Sequence, residues 1–555
     1  MTTRLSRGVC LLSLSLLAVM LAGCQTSHTG AKLYDGFGNY HWPISTSSSL
    51  AQRYFDQGMQ MMYGFNHDEA IRSFHEAAAQ DPQAAMPWWG IAYAHGININ
   101  DPVMTDERSR TARAAVDNAL ARLDGATPVE AAMVRALDRR YARPAPEDRR
   151  PLDEAFADAM QRVHNAFPDH PEAATIYADA LMNLQPWDYW QDDGSPKGRI
   201  NDIVAALEGV LRTHPRHPYA THLYIHAVEA SADPDRAVGA ADRLRTIVPG
   251  AGHLVHMPSH IYVRVGRYAD AARSNVAAVA ADRAYFARAP RPGFYAIYHA
   301  HNLHFLAYAS MMRGHYADAL EAARQLEAFM PDDVLRAHAG FIDGIMPTTL
   351  HVMIRFGHWE QVLAEPDYPQ YRLVSRAARH YARSIAYSAL GHVDEARAEL
   401  EAFEAAAEAI PDDWYVFNNR IADVMPIARA MIHGELLFRE GKHDQAFATL
   451  RKGIEAEDAL VYDEPPGWML PVRHALGALL LSAGRADEAE AVYREDLKRN
   501  RENGWALLGL QQALAAQGRE DDAAALAPRV DRAWADADVM PTSSCYCEPG
   551  KVVAR

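Results

Sequence analysis

Three short stretches carry the residues with the most chemistry. The first runs from Tyr219 through His222 and His226 to Glu229. The second is Gly252-His253-Leu254-Val255-His256-Met257-Pro258-Ser259-His260. The third holds His301 and His304, with Tyr308 one turn on. Residues four apart share one face of a helix, so His222/His226 and His256/His260 are each a chelating pair. On helices about 8–10 Å apart, imidazoles from both can meet at a cation with metal–nitrogen bonds of about 2.0–2.1 Å. The spacing predicts a divalent-metal site formed by His222, His226, His256, His260 and His304, with Glu229 as a further ligand. Imidazole suits zinc, copper, iron or manganese, and Met257 adds a sulfur that favours copper. Glu229 or Asp179 can also serve as a partner to a ligand histidine, or as a general base if the metal carries a reactive water. The same residues have two plainer uses: hydrogen-bonded packing, or the lining of a metal-free ligand groove.

The elements that must position these residues read as helix pairs. From about residue 50 a period of about 34 emerges, that of the tetratricopeptide repeat (TPR). With Gly58 at the eighth place, Ala70, Phe74, Ala77 and Pro82 fall at the small, aromatic, small and proline places of that pattern. The half-motif recurs at Gly266-Arg267-Tyr268, Gly314-His315-Tyr316, Gly357, Gly391, Gly441, Gly484 and Gly518. A groove in such an array is lined by the second, fifth, ninth and twelfth places of the first helix, which form one stripe. His222, His226 and Glu229 take the fifth, ninth and twelfth. His253, His256 and His260 take the second, fifth and ninth, as do His301, His304 and Tyr308. His351 and Asp179 fall at ninth places, and Met59, Trp89 and Tyr93 face the groove as an apolar or stacking end. His253, His301, Tyr308, His351, Met59, Trp89 and Tyr93 are therefore expected to line a ligand groove, and His392 to sit in an inter-helix turn. The expected fold is all-α, a TPR-like α-α superhelical solenoid over residues 50–540, with an inserted loop at about 184–198 carrying Trp187 and Trp190.

The N-terminus reads as a targeting segment. Arg4 and Arg7 precede an apolar run from Val9 to Ala22 that ends Leu21-Ala22-Gly23-Cys24. The run is too short to span a bilayer, and its end resembles a bacterial lipobox, in which the cysteine is acylated. Residues 1–23 are thus expected to be a lipoprotein signal peptide, Cys24 the lipidated residue, and 24–49 a flexible tether. Gln25 after the cysteine points to the outer membrane, facing the periplasm. Cys545 and Cys547 lie in a tail, 541–555, as a strained disulfide, a soft-metal site or an incidental feature. At 49% hydrophobic and 23% charged, the 555-residue chain is too apolar for a disordered protein. Its net charge of −16 argues against a nucleic-acid partner. Gly-rich phosphate loops, Gly-x-Ser-x-Gly, His-Glu-x-x-His and Cys-x-x-Cys are absent from the sequence.

With these blocks in view, the chain resembles a bacterial family of secreted or lipid-anchored TPR proteins. The likeness rests on Leu223–Ser231, Gly252–Tyr262 and His301–Ala307, preceded by the segment Pro87–Asn100, and runs over most of residues 50–525. It implies a TPR fold and no settled activity. Three functions are consistent with the sequence: a binding or scaffold module for a metal, peptide or partner; a metal-dependent hydrolase or oxidoreductase; and an assembly scaffold without metal. Coordination separates the first two, because three protein ligands with an open position favour catalysis and a closed four-ligand site favours structure or storage.

Overall fold

The computed structural model describes residues 31–191, 193–289, 293–545 and 553–554. The described chain is all-α and TPR-like, as its periodicity predicts, with strand confined to two-residue pairs. One pairs Tyr415–Val416 with Asn419–Arg420, the other Val539–Met540 with Val553–Ala554. The chain divides into two compact units. The first comprises the chain up to Ile261 together with Ala277–His299; the second comprises Tyr262–Val276 and the chain from Ala300 onward. Among the described residues no helix is long and apolar enough to cross a membrane.

In the first unit, Ser49–Tyr63 and His67–Gln80 form the opening pair, and Ala85–Ala94 packs against both. Ser48 and Asn66 cap the first two helices by accepting from Ala51 N and Glu69 N. The small places do what the pattern requires. A Cβ on Gly58 would stand 2.5 Å from Phe74 Cε1, and one on Gly90 would stand 2.7 Å from its Cδ1, so the Phe74 ring lies between two glycines. In the second unit Tyr493 repeats this between Gly477 and Gly509, where added Cβ atoms would meet its ring at 2.4 and 2.2 Å.

Seven glycines end first helices in a left-handed conformation, with φ between +69° and +83°: Gly266, Gly314, Gly357, Gly391, Gly441, Gly484 and Gly518. Each stands two residues before its second helix begins. Their spacing is 34 residues between Gly484 and Gly518 but 50 between Gly391 and Gly441. The repeat is therefore TPR-like with insertions; the hairpin at 415–420 fills part of the longest interval.

The segment expected to be a free tether is packed where it is described. Trp42 lies edge-on to Phe55 and Trp89, its N–H donates to Asp56 Oδ1 at 3.1 Å, and Ser45 bonds Glu130 through both N–H and hydroxyl. Burying Trp42 and Ile44 gives this Ser/Thr-rich stretch enough apolar area to order it. Cys24 and the signal segment lie outside the described residues. Cys545 is disulfide-bonded.

Candidate metal centre

The helix Pro218–Val228 supplies the first pair of imidazoles. His217 caps it, its Nδ1 accepting from Ala220 N at 3.1 Å, and Pro218 supplies a first-turn φ that costs no hydrogen bond. Every residue of this helix is buried, so its histidines are interior groups. Glu229 stands at its C-cap and turns its carboxylate back onto His226. The second set comes from two short helices, Gly252–His256 and Pro258–Arg264. Expecting one helix here was wrong: Pro258 cannot extend the preceding helix and starts a new one. His253 and His256 therefore precede the break and His260 follows it. Gly252 is required where it stands, since a Cβ there would lie 1.9 Å from Asp282 Oδ1. Tyr295 Oη accepts from His253 N at 3.1 Å and donates to Asp282 at 2.9 Å, fixing the start of the first short helix.

The hydrogen bonds decide which ring nitrogens carry protons. His222 Nδ1 lies 2.7 Å from the carbonyl of Tyr63, which only accepts, so Nδ1 carries the hydrogen and Nε2 is a bare lone pair in the neutral ring. His226 Nδ1 donates to Glu229 Oε1 at 2.7 Å, and its Nε2 is buried with no hydrogen-bond partner. His260 Nδ1 donates to the other oxygen, Glu229 Oε2, at 2.6 Å, leaving its Nε2 at 2.8 Å from His256 Nε2. His253 Nε2 lies 3.2 Å from His222 Nε2. One nitrogen from each of His222, His226 and His253 falls within 4.8 Å of the other two. Two ligands on a tetrahedral zinc are about 3.3 Å apart for metal–nitrogen bonds of about 2.05 Å. The His222–His253 separation is a hydrogen-bond contact that also matches that spacing, and His256–His260 is a shorter hydrogen bond.

Electrostatics agree with neutral rings. Burial holds His222 well below the usual imidazole range, and the neighbouring His226 adds to this. Burial also lowers His226, against the pull of Glu229. For Glu229 burial acts upward, but the attraction of His260 and the hydrogen bonds from His226 and His260 outweigh it, so it stays ionised far below the usual carboxylate range.

His226, Glu229 and His260 also approach within 4.8 Å. Since both Glu229 oxygens already accept an imidazole N–H, this group is an orienting network around His226. Asp179 is elsewhere: it accepts from Tyr93 Oη at 2.5 Å and Tyr219 Oη at 2.9 Å, and burial raises it despite nearby Arg140. Met59, Trp89 and Tyr93 are buried in the first unit, where Trp89 stacks on Tyr93 and Trp42 packs edge-on to Trp89. That end is filled rather than open.

His304, expected among the ligands, belongs to the second unit and to none of the three-residue groups found among the described residues. It lies against Phe417, and burial, with His351 nearby, pushes it down to about 3. Burial also lowers His351, to about 4. His301 packs edge-on to Phe305 and Phe417, and Tyr308 is buried in the same unit. A shared repeat place fixes the face of a helix, not the depth at which a side chain ends, so it does not bring His304 into any of those groups. His392 lies in an inter-helix turn and is half exposed, as expected.

The sequence reading missed three contributors: the Tyr63 carbonyl, Phe65 and Trp187. The Phe65 ring lies 4.6 Å from His222 and 5.3 Å from His253, and Trp187 meets His226 edge-on at 5.0 Å. Only Trp187 had a sequence signal, as part of an inserted loop.

No protein-family model and no curated protein matches the chain. Solved helical-repeat structures do. A human IFIT1 dimer with m7Gppp-AAAA shares 12% identity over 88% of this chain and 91% of its own, at a TM-score of 0.32. The APC/C hetero-tetramer Cut9–Hcn1 shares 11% over 88% and 77%, at 0.30. Yeast Tom70 shares 12% over 87% and 91%, at 0.29. At such scores the likeness carries no argument, and the histidine centre rests on its own residues.

Proposed function

We propose that this protein is a metal-binding TPR module of the bacterial envelope, holding one divalent cation through His222, His226 and His253. The observation that carries this reading is the orphaned lone pair of His226 Nε2, buried beside two further ring nitrogens while Glu229 fixes the opposite edge of its ring. A buried polar atom without a partner is rare and costly, and a cation would satisfy it. Three imidazole nitrogen donors suit zinc first, with copper, iron and manganese as competitors. In this reading His256 and His260 are hydrogen-bonded neighbours of the centre and Glu229 is the group that orients His226.

Three ligands leave room for a fourth, which is the arrangement that favours catalysis. A general base is harder to find. Glu229 already accepts from two imidazole N–H groups and Asp179 from two tyrosine hydroxyls. That favours binding or scaffolding over hydrolysis. Elemental analysis of protein purified without added metal tests the reading: about one equivalent in the wild type and none in His226→Ala/His253→Ala supports it, while equal content in both sinks it.

The Arg4/Arg7 n-region and Leu21-Ala22-Gly23-Cys24 support a lipid anchor at the outer membrane, facing the periplasm. Cys24→Ala is expected to shift the protein into the soluble fraction and abolish acyl labelling. Retention of the variant in membranes, with no lipid on the wild type, would overturn the anchor.

A further inference from the structure

A left-handed backbone is where glycine belongs, and the repeat places glycine there seven times, two residues before each second helix. The first repeat breaks the rule. Its second helix begins at His67, and the residue two before it is Phe65, at φ +57°. Among the described residues only four non-glycines have a left-handed φ: Phe65, Trp187, Phe417 and Glu502. Three of them are bulky aromatics, the class for which this conformation is a true outlier, and each of the three rests on histidine.

Phe417, at φ +48°, lies on His301 and His304 within the second unit. In the first unit Phe65 is almost fully buried, its ring 4.6 Å from His222, 5.3 Å from His253 and 6.5 Å from His226 by centroids. It is near-parallel to the last two, at 25° and 9°. Trp187, at φ +62°, meets His226 at 82° from another direction, and its indole N–H is tied to the Ile99 carbonyl at 3.0 Å. Strain of this kind persists only where the surroundings over-determine it, and it gathers at functional sites.

We propose that Phe65 and Trp187 are positioning residues of the metal centre: two aromatic walls that lock the planes of His222, His226 and His253 and keep water beyond a single fourth ligand from the metal. The inference rests on the three-histidine reading. Hydrocarbon walls offer the metal no donor, so added water ligands are excluded and a low coordination number is enforced. Glycine at position 65 would restore the residue type found at the other seven turns and remove the wall while relieving the backbone. A plug with no role beyond filling space would leave the metal's coordination unchanged.

The test uses cobalt(II) as a spectroscopic probe on the chelator-treated full chain, comparing wild type, Phe65→Gly and Trp187→Gly. The wild type is expected to show the intense visible absorption of four-coordinate cobalt. Each variant should bind about 10–100-fold more weakly, with the weaker bands of five- or six-coordinate cobalt, while helix content stays at the wild-type level. If Phe65→Gly fails to fold, Phe65→Leu replaces it, and at least a threefold loss of affinity is expected from the missing ring. Wild-type affinity and an unchanged spectrum in the folded variants would overturn the wall. A wild type that takes up no cobalt would overturn the three-histidine reading, and the wall with it.

Discussion

At the scale of single residues, one carboxylate organises the site. Glu229 gives one oxygen to His226 and the other to His260, which fixes two tautomers at once. The Tyr63 carbonyl fixes a third at His222. The cost of keeping His222 and His226 neutral appears in the pH dependence. Both imidazoles are lowered by burial, so the unfolded chain takes up protons before the folded one does. Their contribution to stability is whole above the unfolded value of about 6.5 and is lost as pH falls below it. Glu229, lowered in the fold, adds a loss in the same direction once the pH drops below about 4.5. Chelator-treated protein should therefore hold a constant melting temperature from pH 8 to 7. From pH 6.5 to 5.5 it should lose stability progressively through these two histidines, and His222→Gln/His226→Gln should flatten that slope. A wild-type profile that is level or rising toward pH 5.5 would contradict the assignment. The i, i+4 spacing of His222 and His226 on one helix was readable. The choice of His253 over His256 was not, because it depends on the break at Pro258 and on a 3.2 Å approach between separate helices.

At the scale of elements, two kinds of glycine do different work. Gly58 makes room for Phe74 between helices, while Gly391 has open space around its missing Cβ and is needed only for its φ of +83°. Gly58→Ala should overpack the helix contact and cost about 1–3 kcal/mol. Gly391→Asn should cost only a few tenths, since asparagine tolerates that conformation. Urea unfolding of both variants checks the contrast, and equal losses would contradict it. These glycines, with Ala70 and Phe74, are why the repeat was legible: close helix approach and a left-handed turn each demand one residue type at one place. The insertions that stretch the interval to 50 residues carry no such demand, and the 34-residue period hid them. Trp42 escaped for a related reason. Its short Ser/Thr-rich stretch has no periodicity, and only contact with Phe55 and Trp89 orders it.

At the scale of the molecule, the histidine stripe divides between two compact units. His222, His226, His253, His256 and His260 belong to the first, His301, His304 and His351 to the second. The first set contains His222, His226 and His253, whose ring nitrogens approach within 4.8 Å of one another; the second is packed against Phe417, Trp468 and Tyr381. A cation bound to the first unit stabilises it by mass action, about 2.7 kcal/mol at a hundredfold excess over Kd. The most direct measurement is calorimetric titration of zinc into chelator-treated protein at pH 7.5, with His226→Ala/His253→Ala as the comparison. One equivalent should bind with Kd below about 10 μM and raise the melting temperature of the wild type only, with helix content unchanged. Binding weaker than that in the wild type, or equal binding by the double variant, would contradict a metal centre at these histidines.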